Sequence, residues 1–493
     1  MLTVLGLTLA LLAGIGALAL WPRAWRPVFA GCALAAALLA VAALGALLTG
    51  LRAGVQLPIG PPGLAMRLAI DPLSAWFLLI VALSACFASI QALGGTVPAA
   101  RTLPPYPLFL LGMALTVLAG DLLTLLLGFE LMSLASWALV AARHDDDANR
   151  EAARLYLGFA VFSGLCLLGA AALLAPDAGR MGGLAFEALR AAPPDGWRAA
   201  LVFALVVAGA GAKAGLVPLH AWLPLAHPAA PSHVSAIMSG AMVKVALYVL
   251  ARLLFDLAGP AQPLWWGVPL LVLGAASALY GALRANVETD IKAILACSTI
   301  ENVGFIAMAM GLALLFRGAD LGALAALALG AALLHALGHG LFKTGLFLTA
   351  GAVLSGTGWR ELDRLGGVLR GAPRLGAAAL LLAATAAALP PLAGFAGEWL
   401  LLQALISSWR VADIALQILG AAALAVAGMA VALGAAAMLR LYGLVFLGRP
   451  RNPRTAGMAD PGGPALWPIL ALAGLAVLAG LFAAPLAALS EGA

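Results

Sequence analysis

Charge is what this chain has least of. Only 10% of its 493 residues are charged, where soluble domains carry roughly 25%. That is too little to cover a water-exposed surface, and it excludes an ordinary soluble protein. Cysteine is nearly as scarce. Cys32, Cys86, Cys166 and Cys297 each stand alone inside an apolar run at no metal-ligand spacing. They read as small core residues and offer no thiolate metal site. Haem, zinc and nucleotide motifs are missing too; Gly209-Ala210-Gly211 follows no strand, as a dinucleotide fold would require. The longest polar connections, 51–70, 176–197 and 356–373, are too short for a separate soluble domain. Lysine occurs four times, whereas arginine supplies almost every loop charge.

What is present is hydrophobic. At 64% hydrophobic residues and a mean hydropathy of +1.06, the chain reads as an all-α polytopic membrane protein. About fourteen spans are predicted: 3–20, 27–50, 71–93, 104–120, 121–142, 153–175, 198–224, 230–257, 264–285, 290–316, 321–355, 373–408, 411–447 and 464–489. They are numbered 1 to 14 below. Several late spans exceed the roughly 20 residues of a crossing, so they tilt, break or extend past the lipid. The N-terminus lacks a basic leader. Ala17-Leu18-Ala19 resembles a signal-peptidase site, but the segment reads as a retained first helix.

Fourteen spans put both termini on one side. The loops opposite them hold twice as many basic residues, among them Arg23, Arg26, Arg143, Arg150, Arg360, Arg364, Arg370, Arg374, Arg449, Arg451 and Arg454. The terminal side has Arg52, Arg67, Arg180 and Arg410 among its fewer charges. The positive-inside rule then places both termini periplasmic, in a bacterial inner membrane. The net charge of +6 reflects this bias and implies no nucleic acid partner. Trp21, Trp25, Trp265, Trp266 and Trp467 suit an interfacial belt.

Three of the four lysines stand where charge is expensive. Lys213, Lys244 and Lys343 each lie inside an apolar span, and so do Glu130, Glu301 and Glu398. A charge at the bilayer centre costs about 2.5–3.5 kcal/mol on insertion scales. An ammonium can shed its proton when buried and a guanidinium cannot. Buried ion pairs can also simply fix helix contacts, but six such groups in one chain favour a proton path. In span 11, His335, His339 and Lys343 are spaced i, i+4, i+8, a single stripe about 6 Å per step. Two histidines in register with a lysine suit a relay. As metal ligands they are only half a site.

Two spans look interrupted. Span 7 reads Lys213-Ala-Gly215-Leu-Val-Pro218-Leu-His220-Ala-Trp-Leu-Pro224, and span 12 reads Leu389-Pro390-Pro391-Leu-Ala-Gly394-Phe-Ala-Gly-Glu398. Proline breaks a helix, and broken helices at membrane depth mark ion paths in transporters. The breaks suggest two inverted five-helix repeats, 104–258 (spans 4–8) and 259–448 (spans 9–13), flanked by 1–103 (spans 1–3) and 449–493 (span 14). Glu130 and Glu301 then occupy matching second helices. His220, His227 and His233 cluster in HAWLPLAHPAAPSH at the Arg-rich end of spans 7 and 8, as a proton uptake site or a plain interfacial loop. Asp71, Asp121 and Asp256 read as caps or interface residues. Arg143-His144-Asp145-Asp146-Asp147 reads as a solvated loop.

The stretches LLGFELMSLASW, AKAGLVPLHAWLPLAHPAAPSHVSA, MSGAMVKVALYVL, IKAILACSTIENVGF and GHGLFKTGLFLTAG resemble the antiporter-like subunits of complex I, Mrp-type antiporters and group 4 hydrogenases. The resemblance implies fourteen core helices, inverted repeats and broken helices 7 and 12. It implies a proton relay through Glu130, Lys213, Lys244, His335, His339, Lys343 and Glu398, to which Glu301 is added. Leu225, where the family often has aspartate, and Glu301, where it often has serine, look like the large membrane subunit of hydrogenase-4 and formate hydrogenlyase complexes. The chain ends soon after span 14, without the lateral helix some of those subunits append. The expected function is a proton-translocating subunit of a redox-driven complex. The alternatives are a Na+/H+ antiporter subunit, a membrane subunit of an inorganic-carbon uptake system, and a scaffold with dead channels. No cofactor is expected in the chain; Fe–S clusters and a Ni–Fe centre belong to the membrane and peripheral redox partners.

Overall fold

The computed structural model describes residues 1–61, 64–95, 100–175, 183–259 and 262–490. Arg180 lies outside them. Helices fall within every predicted interval. Among the described residues, eleven are long and apolar enough to cross a membrane. The other three intervals hold shorter helices. These are Leu2–Leu18 in span 1, Pro105–Val117 in span 4, and Pro373–Ala386 with Ala393–Ile406 in span 12. The all-α expectation needs one amendment: Ala53–Gln56 pairs antiparallel with Arg67–Ile70 between spans 2 and 3.

Span starts follow their capping chemistry. Asp71 closes a capping box with Ser74 ahead of span 3 (Pro72–Leu93), where Pro72 occupies a first-turn position. Asp121 caps span 5 (Leu122–Val140), its side chain accepting from Thr124 N. It also accepts from Arg67 N at 2.6 Å, tying the hairpin to the bundle. Asp290 caps span 10 (Ile291–Gly318).

Spans 8 (Ser232–Leu257) and 10 form the interior, since their most apolar stretches are buried throughout. Span 3 lies along span 11 (Gly322–Thr357). Trp76 Nε1 donates to Leu333 O at 3.0 Å, Thr344 Oγ1 to Ser84 Oγ at 3.0 Å, and Gln91 Nε2 to Leu348 O at 2.8 Å. Span 9 (Leu264–Val287) meets span 10 glycine against backbone: Gly267, Gly274 and Gly281 face Gly311, Gly304 and Cys297, leaving no room for a Cβ. Small residues allow membrane helices this approach, where dispersion contacts and not water drive association. The outer faces are apolar and exposed, as at Leu7, Leu20, Val41 and Leu439. Trp21, Trp265 and Trp467 are exposed as a belt requires, but Trp266 is not. It is buried, stacked on Phe203 at 4.9 Å, because the chain turns inward as span 9 begins.

Candidate functional site

Span 7 ends its first half, Gly196–Ala214, at Gly215, whose φ of +86° suits a residue without Cβ. The second half, Trp222–Ala229, hooks back by donating Trp222 Nε1 to Ala212 O at 2.9 Å. Lys213 thus sits in the last turn of a half-helix, where the carbonyl ends favour a cation. Span 12 breaks in the same manner, except that Ala388 adopts the left-handed backbone (φ +53°) that glycine would take at less cost.

Lys213 is buried, and Nζ donates to the Tyr156 hydroxyl at 2.8 Å. Tyr156 on span 6 (Asp147–Leu174) shares a 2.6 Å hydrogen bond with Ser136 of span 5. Among the described residues Glu130 and Lys213 make no ion pair; the ammonium is held by a neutral hydroxyl, and Glu130 Oε1 is buried without a protein partner. Glu130 lies against Gly164 of span 6, where any Cβ would displace it.

Lys244 and Lys343 share a second polar centre. Span 8 widens into a π-helical turn at Met238–Met242, a feature frequent at functional sites. Lys244 Nζ donates to Ser239 O of that turn at 2.6 Å. The Ser239 and Thr299 hydroxyls bond at 2.7 Å, joining spans 8 and 10. Thr299 Oγ1 donates to Leu295 O at 2.8 Å, and Lys343 Nζ reaches the same carbonyl at 3.3 Å. Three residues therefore connect the two ammonium groups.

Span 10 continues the polar line. Ser298 Oγ donates to Glu301 Oε2 at 3.1 Å, and Glu301 lies against Gly434 of span 13 (Ile414–Phe446). Asn302 Nδ2 donates to Ser298 O at 2.7 Å, so its Oδ1 accepts from His335 Nε2 at 3.0 Å. That leaves His335 Nδ1 without a protein partner, as are both nitrogens of His339. The two rings lie parallel, centroids 6.3 Å apart. The His335 backbone packs on Gly397, next to Glu398, whose Oε2 is also buried and unpartnered. Buried polar atoms of this kind are normally satisfied by ordered water.

The three histidines of the span 7–8 connection each have a different aromatic neighbour. His220 packs on Tyr280, His227 is buried against Phe347, and His233 packs between Phe29 and Tyr106. Sequence reasoning also missed Lys292. It follows the Asp290 cap and reads as a loop charge, yet it is buried and donates to Ala230 O at 2.7 Å. It lines a depression of about 720 Å³ on the Arg-rich side, with Arg101, Arg143, Asp145 and Arg360. Tyr156, Ser239, Thr299 and Asn302 were missed as well; a lone hydroxyl or amide in an apolar run gives no periodic signal. Among the described residues, no group of three or more His, Cys, Asp or Glu could hold a metal.

Broken helices around buried lysines, acids and histidines, in an all-helical bundle, define an antiporter-like membrane subunit. The chain belongs to the family described as NADH:quinone oxidoreductase/Mrp antiporter, transmembrane, whose model matches residues 119–425. Hydrogenase-4 component B of Escherichia coli (strain K12) is 37% identical over 429 residues, covering 86% of this chain and 63% of that protein. Formate hydrogenlyase subunit 3 of the same organism is 41% identical over 254 residues, 51% of this chain and 41% of that one. The chain thus spans less than two thirds of these relatives. A chain of respiratory complex I from Thermus thermophilus superposes with a TM-score of 0.78 at 27% identity, covering 99% of this chain and 98% of its own.

Proposed function

We propose that this chain translocates protons as a membrane subunit of a redox-driven complex of hydrogenase-4 or formate hydrogenlyase type. The observation that carries the reading is two hydrogen-bonded groups of buried polar residues meeting on span 10, one from Lys244 through Ser239, Thr299 and Leu295 O to Lys343 and the other from Glu301 through Ser298 and Asn302 to His335. Lys213, held by Tyr156 beside Glu130, is the switch that feeds them. Protons enter from the Arg-rich side and pass His335 and His339 towards Glu398. Moving a charge against 100 mV costs about 2.3 kcal/mol, within reach of a modest rearrangement around one buried lysine. The division into two inverted five-helix units, the cell-membrane location and the periplasmic termini belong to this reading. So do partner subunits carrying Fe–S clusters and a Ni–Fe centre.

The test is purification of the native complex in mild detergent, metal analysis of its partners, and reconstitution into liposomes containing a pH-sensitive dye. Nickel, iron and a proton gradient formed on turnover support the reading, provided Lys213→Met abolishes the gradient in an assembled complex. A metal-free complex that exchanges Na+ for protons overturns it in favour of a cation/proton antiporter.

A further inference from the structure

His335 and His339 are buried one turn apart on span 11, with their rings parallel. Their bonding differs. His339 meets no protein partner at either nitrogen, whereas His335 is tied through Nε2 to Asn302 Oδ1 at 3.0 Å.

The buried Asn302 decides which nitrogen of His335 carries hydrogen. Asn302 Nδ2 lies 2.7 Å from Ser298 O, one turn back on span 10. A carbonyl oxygen only accepts, so the amide must present its NH2 group there. Turning the amide over would press two acceptors together at 2.7 Å. Asn302 therefore shows His335 an oxygen, and that oxygen can bond Nε2 only if Nε2 bears hydrogen. In a neutral imidazole the other nitrogen is then the lone-pair atom. That atom, Nδ1, is buried and bonds no protein group. The ring has little room to swing away from Asn302. Gly397 of span 12 packs on the His335 backbone with no space for a Cβ, and Phe305 stands edge-on to the ring at 6.0 Å.

We infer that Asn302 is the positioning residue of His335: it holds the histidine in its Nε2–H form, so that His335 loads and unloads protons at Nδ1 alone. The inference rests on the proton-translocating reading above and narrows it. An imidazole that relays through its ring takes a proton on one nitrogen and gives one up from the other. His335 cannot, because the amide oxygen on its Nε2 side is too weak a base to accept that proton. Water instead brings a proton to the Nδ1 lone pair, and an N–H bond forms there. The residue is then an imidazolium whose bond from Nε2 to Asn302 is intact. Later the same Nδ1–H bond breaks, water takes the proton, and the neutral Nε2–H form returns. His335 thus stores a proton between arrival and departure. His339, with both nitrogens open, is the ring a proton can cross.

The experiment uses the native complex, grown with isotope-labelled histidine, in liposomes at alkaline pH without turnover. Solid-state NMR tells Nδ1 from Nε2 by the bond of Nδ1 to Cγ, and the difference from a His335→Gln complex isolates the ring. Wild type should carry hydrogen on Nε2 and none on Nδ1. Asn302→Leu should weaken that preference at least about fivefold, the share of one buried hydrogen bond, and lower pumping per assembled complex by a similar factor. Asn302→Asp keeps an acceptor oxygen and should restore the Nε2–H form. An Asn302 that merely braces span 10 would lower assembly on replacement and leave the tautomer where it was. Hydrogen on Nδ1 in the wild type overturns the inference, as does an unchanged tautomer in assembled Asn302→Leu. Should Asn302→Leu fail to assemble, the wild-type spectrum still decides by which nitrogen bears hydrogen. The tautomer is read without turnover, so a complex that proves not to pump would sink the proton-translocating reading and leave this assignment standing or falling separately.

Discussion

Lys213 and Lys343 are both fully enclosed, yet their surroundings differ in kind. Lys213 donates to one neutral hydroxyl, lies near the Phe129 and Tyr156 rings, and has an unbonded glutamate in its vicinity. Lys343 bonds only a backbone carbonyl, but that carbonyl also takes the Thr299 hydroxyl, which leads on to Ser239 and Lys244. The first setting is a single contact that can be made or broken. The second is a set of polar groups that brings two ammonium groups close together, so that bridging water can carry a proton between them. A burial value would not separate them; the bonding partners do.

The comparison is broken most sharply at the lysines. Lys213→Met and Lys343→Met should each lower turnover-driven proton uptake by about a hundredfold, the scale of losing a general acid–base group. Stopped-flow dye assays on assembled complex would show this. Survival of pumping in Lys343→Met would sink the idea that the second centre is a relay. Tyr156→Phe tests the first centre alone. A hydrogen bond to a charged group contributes about 1.5–3 kcal/mol, so uptake should fall by at least about tenfold while Thr299 and its neighbours stay intact. Thr299→Val should do less, about threefold, because water can bridge Ser239 to Leu295.

Two glycines sharpen the contrast through sterics. Gly164→Ala and Gly434→Ala each place a methyl where Glu130 or Glu301 now lies. Both should slow pumping without touching a titratable group. The effect should be larger at Gly434, since Glu301 is held by Ser298 and has less freedom to move. Equal effects would count against that difference in restraint. The smallest effect should come at the helix contact: Gly281→Ala collides with span 10 backbone and should cost about 1–3 kcal/mol of stability. It would show as a lower melting temperature of the detergent-solubilised complex, with proton uptake per assembled complex retained.

Much of the bundle could be read directly, because lipid demands long apolar helices and penalises any other charge placement. Span 8 at 230–257 became Ser232–Leu257, and span 10 at 290–316 became Ile291–Gly318. Both proline breaks fell where proline and glycine cluster. The site was legible only where a residue was costly. Lys213, Lys244 and Lys343 stood out, whereas Lys292 hid behind the aspartate that caps its helix. Tyr156 and Asn302 carry no charge and cost little to bury once bonded, so nothing in their spacing marked them. Asp256 lay near a span end and passed for a cap or interface residue, and nothing marked Arg252 beside it. Trp266 passed for a belt residue on the strength of its neighbour.

Sequence by itself therefore determined the class of fold, the breaks in spans 7 and 12, and the presence of three lysines, three acids and two histidines four residues apart in apolar surroundings. It did so because burial of charge and loss of a backbone donor are local costs, visible in any window of a few residues. Only tertiary structure decided who holds whom: Lys213 by Tyr156 and not Glu130, Lys244 linked to Lys343 through Ser239 and Thr299, Arg252 between Asp71 and Asp256. Those bonds join residues up to 181 positions apart. Hydrogen bonds reach only about 3 Å, so helix placement in three dimensions selects each partner, and no sequence window contains that information.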